Sequence, residues 1–191
     1  MNWIHHKLCG SDRWRNAVQT KLLPWAMRGL DLGPNPLEIG PGPGMTTELL
    51  RTKCTRLTCL EIDPELAQAL QSRLGGGNVV VQQGDASAMP FSDATFTGAA
   101  CFTMLHHVPS AAIQDRLLRE ACRVLKPGAW LVGSDSRISV YFRLLHIGDT
   151  MVVCDPDQFA GRLERAGFED VSIAKVDRVF AFRGRKPADS K

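Results

Sequence analysis

The chain has 191 residues, a net charge of +3, 44% hydrophobic and 23% charged residues, the proportions of one soluble globular domain with a sizeable core. The charge is too small to argue for a nucleic-acid partner. No apolar run approaches the ~20 residues that span a bilayer, and Met1-Asn2-Trp3-Ile4-His5-His6-Lys7 lacks the apolar stretch of a secretory leader. Six cysteines (Cys9, Cys54, Cys59, Cys101, Cys122 and Cys154) are scattered without a C-x-x-C pair, which reads as reduced, half-buried thiols of a cytoplasmic protein rather than disulfides or a zinc site.

Residues 1–32 read as an N-terminal helical cap. Trp14, Val18, Leu22 and Trp25 share one face at helical spacing, Ser11 or Asp12 can cap the helix, and Pro24 should kink or end it. With Trp3, this segment holds three of the four tryptophans, which either roof a site or pack permanently on the rest of the fold. Gly33-Pro34-Asn35-Pro36 then breaks the chain. Strands and helices alternate from there: Leu37–Ile39, a helix over Met45–Lys53, a strand at Arg56–Ile62, a helix over Pro64–Leu74 stopped by Gly75-Gly76-Gly77, and strands at Asn78–Gln82 and Phe96–Phe102. Ser110–Leu125 is the clearest helix, with Ile113, Leu117, Leu118, Ala121, Val124 and Leu125 as its apolar stripe. Lys126-Pro127-Gly128 is a turn before a strand at Ala129–Ser134; a helix over Asp157–Ala166 follows, and Glu169–Lys175 with Arg178–Phe182 forms a closing hairpin. Arg183–Lys191 reads as a polar, frayed tail. Such alternation predicts an α/β fold, a doubly wound and mostly parallel sheet with helices on both faces.

In that architecture ligands bind beyond the carboxyl ends of the strands, and the chemistry-bearing residues fall there. Leu37-Glu38-Ile39-Gly40-Pro41-Gly42-Pro43-Gly44 ends a strand in an acid and glycines at every second position, then opens a helix. Glycine lets a ligand approach the backbone closely, and the first helical N–H groups point at it. The dinucleotide pattern G-x-G-x-x-G fails, because its third glycine would fall on Met45. Glu61 in Cys59-Leu60-Glu61-Ile62-Asp63 suits vicinal ribose hydroxyls. Asp85 in Gly84-Asp85-Ala86 suits an adenine amine, with the Ala86 N–H for a ring nitrogen, and Cys101-Phe102 borders the same crevice. Each residue also has a plain reading: Glu61 or Asp63 as a helix cap, Asp85 as a turn aspartate.

Together these motifs resemble the class I S-adenosylmethionine-dependent methyltransferases over about residues 36–182. The matching stretches are Leu37–Gly44, Leu60-Glu61-Ile62-Asp63, Gly84-Asp85-Ala86-Ser87-Ala88-Met89-Pro90-Phe91, Phe102-Thr103-Met104-Leu105-His106-His107-Val108 and Leu118–Ala129. The resemblance implies a Rossmann-like seven-stranded sheet in the order 3-2-1-4-5-7-6 with strand 7 antiparallel. It implies S-adenosyl-L-methionine as cofactor, held by Glu38, Gly40, Pro41, Gly42, Gly44, Glu61, Ile62, Asp85, Ala86 and Phe102. The family pattern is broken at Pro36, in place of the usual β-former, and at Thr97, where relatives often carry aspartate. No Asn/Asp-Pro-Pro-aromatic tetrapeptide follows strand 4, which speaks against methylation of adenine or glutamine amino groups.

The implied reaction is in-line methyl transfer to an N, O, S or C nucleophile, foremost of a small molecule, in which the enzyme contributes chiefly alignment. A base is needed only where the nucleophile binds protonated. His106 and His107 are the candidates; packing at a strand end is the plain reading of both, and His146 falls in an irregular stretch after strand 5. An RNA or protein methyltransferase and a non-catalytic S-adenosylmethionine-binding module remain open. No metal is expected.

Overall fold

In a computed structural model, residues 12–145 and 148–189 are described; Trp3, His5, His6, Cys9, Ser11 and His146 lie outside them. Seven strands, β1 (Pro36–Ile39), β2 (Leu57–Glu61), β3 (Val79–Gln83), β4 (Phe96–Phe102), β5 (Leu125–Ser136), β6 (Glu169–Lys175) and β7 (Val179–Arg185), form one sheet in the order β3-β2-β1-β4-β5-β7-β6. β1 to β5 are parallel, and β7 runs antiparallel between β5 and β6. This is the order and polarity that the resemblance implies.

Side chains alternate across the sheet, so each central strand feeds two cores. Ala99 and Cys101 of β4 join Leu37, Ile39, Leu117, Leu131 and Phe159 on one side. Ala100 and Phe102 join Leu50, Leu57, Cys59, Leu70 and Val132 on the other. Helices α3 (Thr47–Leu50) and α4 (Pro64–Leu74) serve the second core, whereas α5 (Ala111–Val124) and α7 (Pro156–Arg165) serve the first. Pro36 is tolerated because it is the first residue of β1, where a missing N–H interrupts no ladder. The Thr97 hydroxyl donates to Leu32 O (2.7 Å) and accepts from Asn35 N (2.9 Å), tying β4 to the lead-in of β1.

The N-terminal segment corrects the expected helical face. α1 (Asp12–Ala17) runs into a π-helical stretch (Val18–Leu22) and then α2 (Leu23–Met27). Pro24 lacks an N–H, and its ring crowds the carbonyl one turn back; a widened turn just ahead, with Leu23 N donating to Val18 O, absorbs it. The widening shifts the register, so the buried residues are Val18, Leu23 and Ala26, while Leu22 and Trp25 are half-buried. They pack in the second core. Residues 18–27 thus pack against the second core in this structure.

Two boundaries also move. β5 begins at Leu125, and the expected turn at Lys126-Pro127-Gly128 is an irregularity inside it, between the pairs Phe96–Leu125 and Gly98–Trp130. The tail is ordered further than its polarity suggested. Arg183–Arg185 complete β7, and the Lys186 ammonium donates to Arg123 O and Leu125 O at the end of α5. Between β5 and α7 the irregular stretch contains a short helix, α6 (Val140–Leu145).

Candidate functional site

A cleft of about 410 Å³ lies beyond the carboxyl ends of the parallel strands, within the usual size of small-molecule sites. Gly40, Pro41, Gly42, Glu61, Ile62, Asp85, Ala86 and Phe102 all line it. The sheet order sets the sequence of its walls: Asp85 after β3, Glu61 ending β2, the glycine loop after β1, then residues 102–109 after β4.

Glu61 and Asp63, which the sequence left ambiguous, separate cleanly. The Asp63 carboxylate caps α4, accepting from Glu65 N (2.9 Å) and Leu66 N (3.1 Å). Glu61 turns into the cleft, only 5% exposed. Its two oxygens accept from Gly42 N (2.9 Å) and Asp63 N (3.0 Å), which fixes the side chain and ties the glycine loop to β2. A carboxylate has about four acceptor sites, so two hydroxyl donors can still be served. Asp85 fulfils both readings. It accepts from Ser87 N (2.7 Å) and the Ser87 hydroxyl (3.0 Å) as a turn aspartate, and it borders the cleft.

Two of the expected cofactor residues stand behind the loop and do not line the cleft. Glu38 is fully buried, and its oxygens accept from the Thr46 and Thr47 hydroxyls (Thr47 at 2.6 Å) and the Cys59 thiol (3.4 Å). It braces the start of α3 against β1 and β2. Burial pushes its carboxyl above the usual range, against the pull of those hydrogen bonds. Gly44 is required by packing: at φ +81° it leaves no room for a Cβ, which would stand 2.5 Å from Leu70 Cδ1. Gly42 is the contrasting case. Its φ is +53°, and an added Cβ would meet no atom within 4 Å, because it would project into the cleft. Open backbone at Gly42 beside a fixed carboxylate at Glu61 fits the ribose and sulfonium region of an adenosyl cofactor.

The two histidines part company. Leu105–His107 is a 3-10 turn, whose successive side chains point about 120° apart. His107 lines the cleft. His106 is buried, with Nδ1 2.5 Å from Asp135 Oδ1, and its backbone N donates to Asp135 Oδ2 (3.0 Å). That placement keeps His106 from touching an acceptor. Asp135 went unnoticed in the sequence although Ser134-Asp135-Ser136 is, like Glu61, an acid at a strand end. Met45, Met104 and Thr150 were missed as well; all three line the cleft, as does Asp149 of the irregular stretch after strand 5. Arg15 Nε donates to Met45 Sδ at 3.3 Å, bringing α1 to this wall. Among the described residues no group of histidines, cysteines and acids could hold a metal ion, and no helix is long and apolar enough to cross a membrane.

Comparison with known proteins agrees with this geometry. Residues 37–133 match the family described as methyltransferase domain. A ubiquinone biosynthesis O-methyltransferase of Xylella fastidiosa is 32% identical over 194 aligned positions, covering 89% of this chain and 75% of that protein. Among solved structures, an S-adenosylmethionine-dependent methyltransferase of Methanosarcina mazei matches 87% of this chain and 98% of its own, with a TM-score of 0.67 at 20% identity. The Haemonchus contortus phosphoethanolamine N-methyltransferase 2, in complex with S-adenosyl-L-methionine, matches 93% of this chain and 53% of its own, with a TM-score of 0.73 at 14% identity. The chain belongs to the methyltransferase-domain family and is an S-adenosylmethionine-dependent methyltransferase.

Proposed function

We propose that the chain methylates a hydroxyl oxygen of a small, largely apolar molecule in the cytoplasm. In this reading the cofactor is held by the glycine loop, Glu61 and Asp85, with Ala86, Ile62 and Phe102 against its adenosyl end. The observation that carries the reading is the composition of the cleft beyond the strand ends. Carboxylates suited to the cofactor belong to the β2 and β3 exits, whereas the β4 exit offers Met104, Val108 and His107, beside Asp149 and Thr150. The O-methyltransferase of Xylella fastidiosa supports oxygen as the accepting atom. Buried thiols at Cys59, Cys101 and Cys154, packed as ordinary core side chains, support a reducing compartment.

When bound, S-adenosylmethionine supplies an electrophilic sulfonium methyl whose thioether leaving group needs no proton. The chain's own contribution is alignment and, for a hydroxyl acceptor, removal of one proton. His107 borders the cleft and takes that proton; His106, locked to Asp135, supports the turn from behind. Met45 and α1, joined through Arg15, close the wall next to the glycine loop.

The test is transfer of labelled methyl from S-adenosylmethionine to a graded series of phenols and aliphatic alcohols, with amines and RNA in parallel. A phenol or alcohol should be methylated. His107→Ala should lower its turnover by about 10²-fold or more while S-adenosylhomocysteine affinity stays unchanged. Methylation confined to amines or RNA contradicts the hydroxyl assignment.

A further inference from the structure

Gln114 is a fully buried amide, 0% exposed, in the first turn of α5, on a buried side whose other residues are apolar. Any aliphatic side chain would fill that position, and a buried amide is costly unless each polar atom is satisfied. All are. Nε2 donates to Leu105 O (2.9 Å) and to Val152 O (2.8 Å), and Oε1 accepts from the Cys154 thiol (3.4 Å). The two carbonyls can be faced only by the NH₂ group, which fixes the orientation of the amide. Val152 closes the arrangement with its own N–H, which donates to His106 O at 2.8 Å.

We propose that Gln114 is a positioning residue for methyl transfer, clasping the Leu105–His107 turn and the 149–154 segment into one acceptor-side wall. The inference rests on the reading of that wall as the acceptor's. His107 is one residue from His106, and Asp149 and Thr150 lie just ahead of Val152; all three line the cleft. Ile113 and Leu117, on the same turns of α5, line it too. Gln114 itself does not, so it sets the wall's shape from behind. Its side-chain bonds run to Leu105, Val152 and Cys154, none of them in the glycine loop or at Glu61 or Asp85. Its removal therefore acts on one side of the site.

Two variants separate the clasp from simple filling of the core. Gln114→Met keeps the volume and loses both donors. Gln114→Glu keeps the shape but turns a carboxylate toward two carbonyls, and regains one donor on protonation. Hydrogen exchange is read over residues 148–155 and 37–61 beside titration with S-adenosylhomocysteine and the kcat and KM of methyl transfer. In both variants kcat should fall about tenfold or more with KM for S-adenosylmethionine kept, and an unchanged kcat overturns the positioning role. Exchange over 148–155 should rise about tenfold or more in both variants, with 37–61 and the affinity for S-adenosylhomocysteine within about twofold to threefold of wild type. The excess in Gln114→Glu over wild type at the same pH should shrink as pH falls. Unchanged exchange over 148–155 overturns the proposal, as does equal acceleration over 37–61 or a parallel loss of affinity. Should the Gln114 variants not fold, Val152→Pro removes the N–H to His106 O and leaves the amide in place; the same local acceleration is expected, and its absence overturns the clasp. Failure of wild type to bind S-adenosylhomocysteine would instead strike the functional reading, since the exchange readout of the clasp does not depend on the ligand.

Discussion

The two flanks of the cleft are built by different means. The proposed cofactor flank consists of strand exits braced mostly close by: Asp63 caps α4, Glu61 holds Asp63 N and Asp85 holds its own turn, with one longer tie from Glu61 back to Gly42 N. The acceptor flank is assembled from segments far apart in sequence: Asp135 under His106, Gln114 across Leu105 and Val152, Arg15 on Met45. The proposed acceptor flank thus depends on more distant contacts than the proposed cofactor flank does.

The comparison breaks first at Gly42. A side chain there meets open cleft rather than protein, so Gly42→Val should abolish detectable S-adenosylhomocysteine binding in calorimetry. Its positive φ costs the fold only roughly 1–2 kcal/mol, measurable as a modest drop in Tm. Normal binding would mean that no ligand approaches the loop. Leu23→Ala should do the reverse. Leu23 is buried in the second core, away from the cleft, so denaturant unfolding should show a loss of about 2–5 kcal/mol with affinity for S-adenosylhomocysteine kept. A large loss of affinity would make the N-terminal helices part of the cofactor flank after all.

The smallest effect concerns Glu38. Its carboxyl titrates above the ordinary range because of burial, so the folded protein keeps a proton that the unfolded chain gives up. The stability contributed is full below the ordinary glutamate pKa and is lost as pH rises through the raised one. Glu38→Gln, which cannot ionise, should match wild type in acid and gain on it as pH rises through that window. Melting curves across pH measure this, and a constant difference would show that folding does not raise the Glu38 pKa.

The same division explains what was legible in the sequence. β4, α4 and β6 fall on their expected bounds, because alternation, a first-turn proline and a turn at Val176-Asp177 are local signals. The cleft-lining residues at the β1, β2 and β3 exits are legible for the same reason. The N-terminal face is not, since a π-helical stretch ahead of Pro24 shifts the register by a rule that periodicity does not carry. β5 reaches past its expected ends because pairing with β4 and β7, rather than propensity, decides where a strand stops. Gln114 is hidden by its neighbours, a polar letter within an apolar stripe whose partners lie 9 and 38 residues away. Asp135 pairs with a histidine 29 residues back, and only its strand-end position hinted at it.

Glu61 carries the central claim, because one side chain both ties the glycine loop to β2 and faces the cleft. Calorimetric titration of wild type and Glu61→Ala with S-adenosylhomocysteine tests it directly. Wild type should bind one equivalent, and Glu61→Ala should lose about 2–4 kcal/mol, or roughly 30- to 700-fold in Kd, as two charge-assisted hydrogen bonds disappear. Equal affinity in the two proteins would contradict the assignment of Glu61 as the ribose anchor, and with it the account of the cofactor flank.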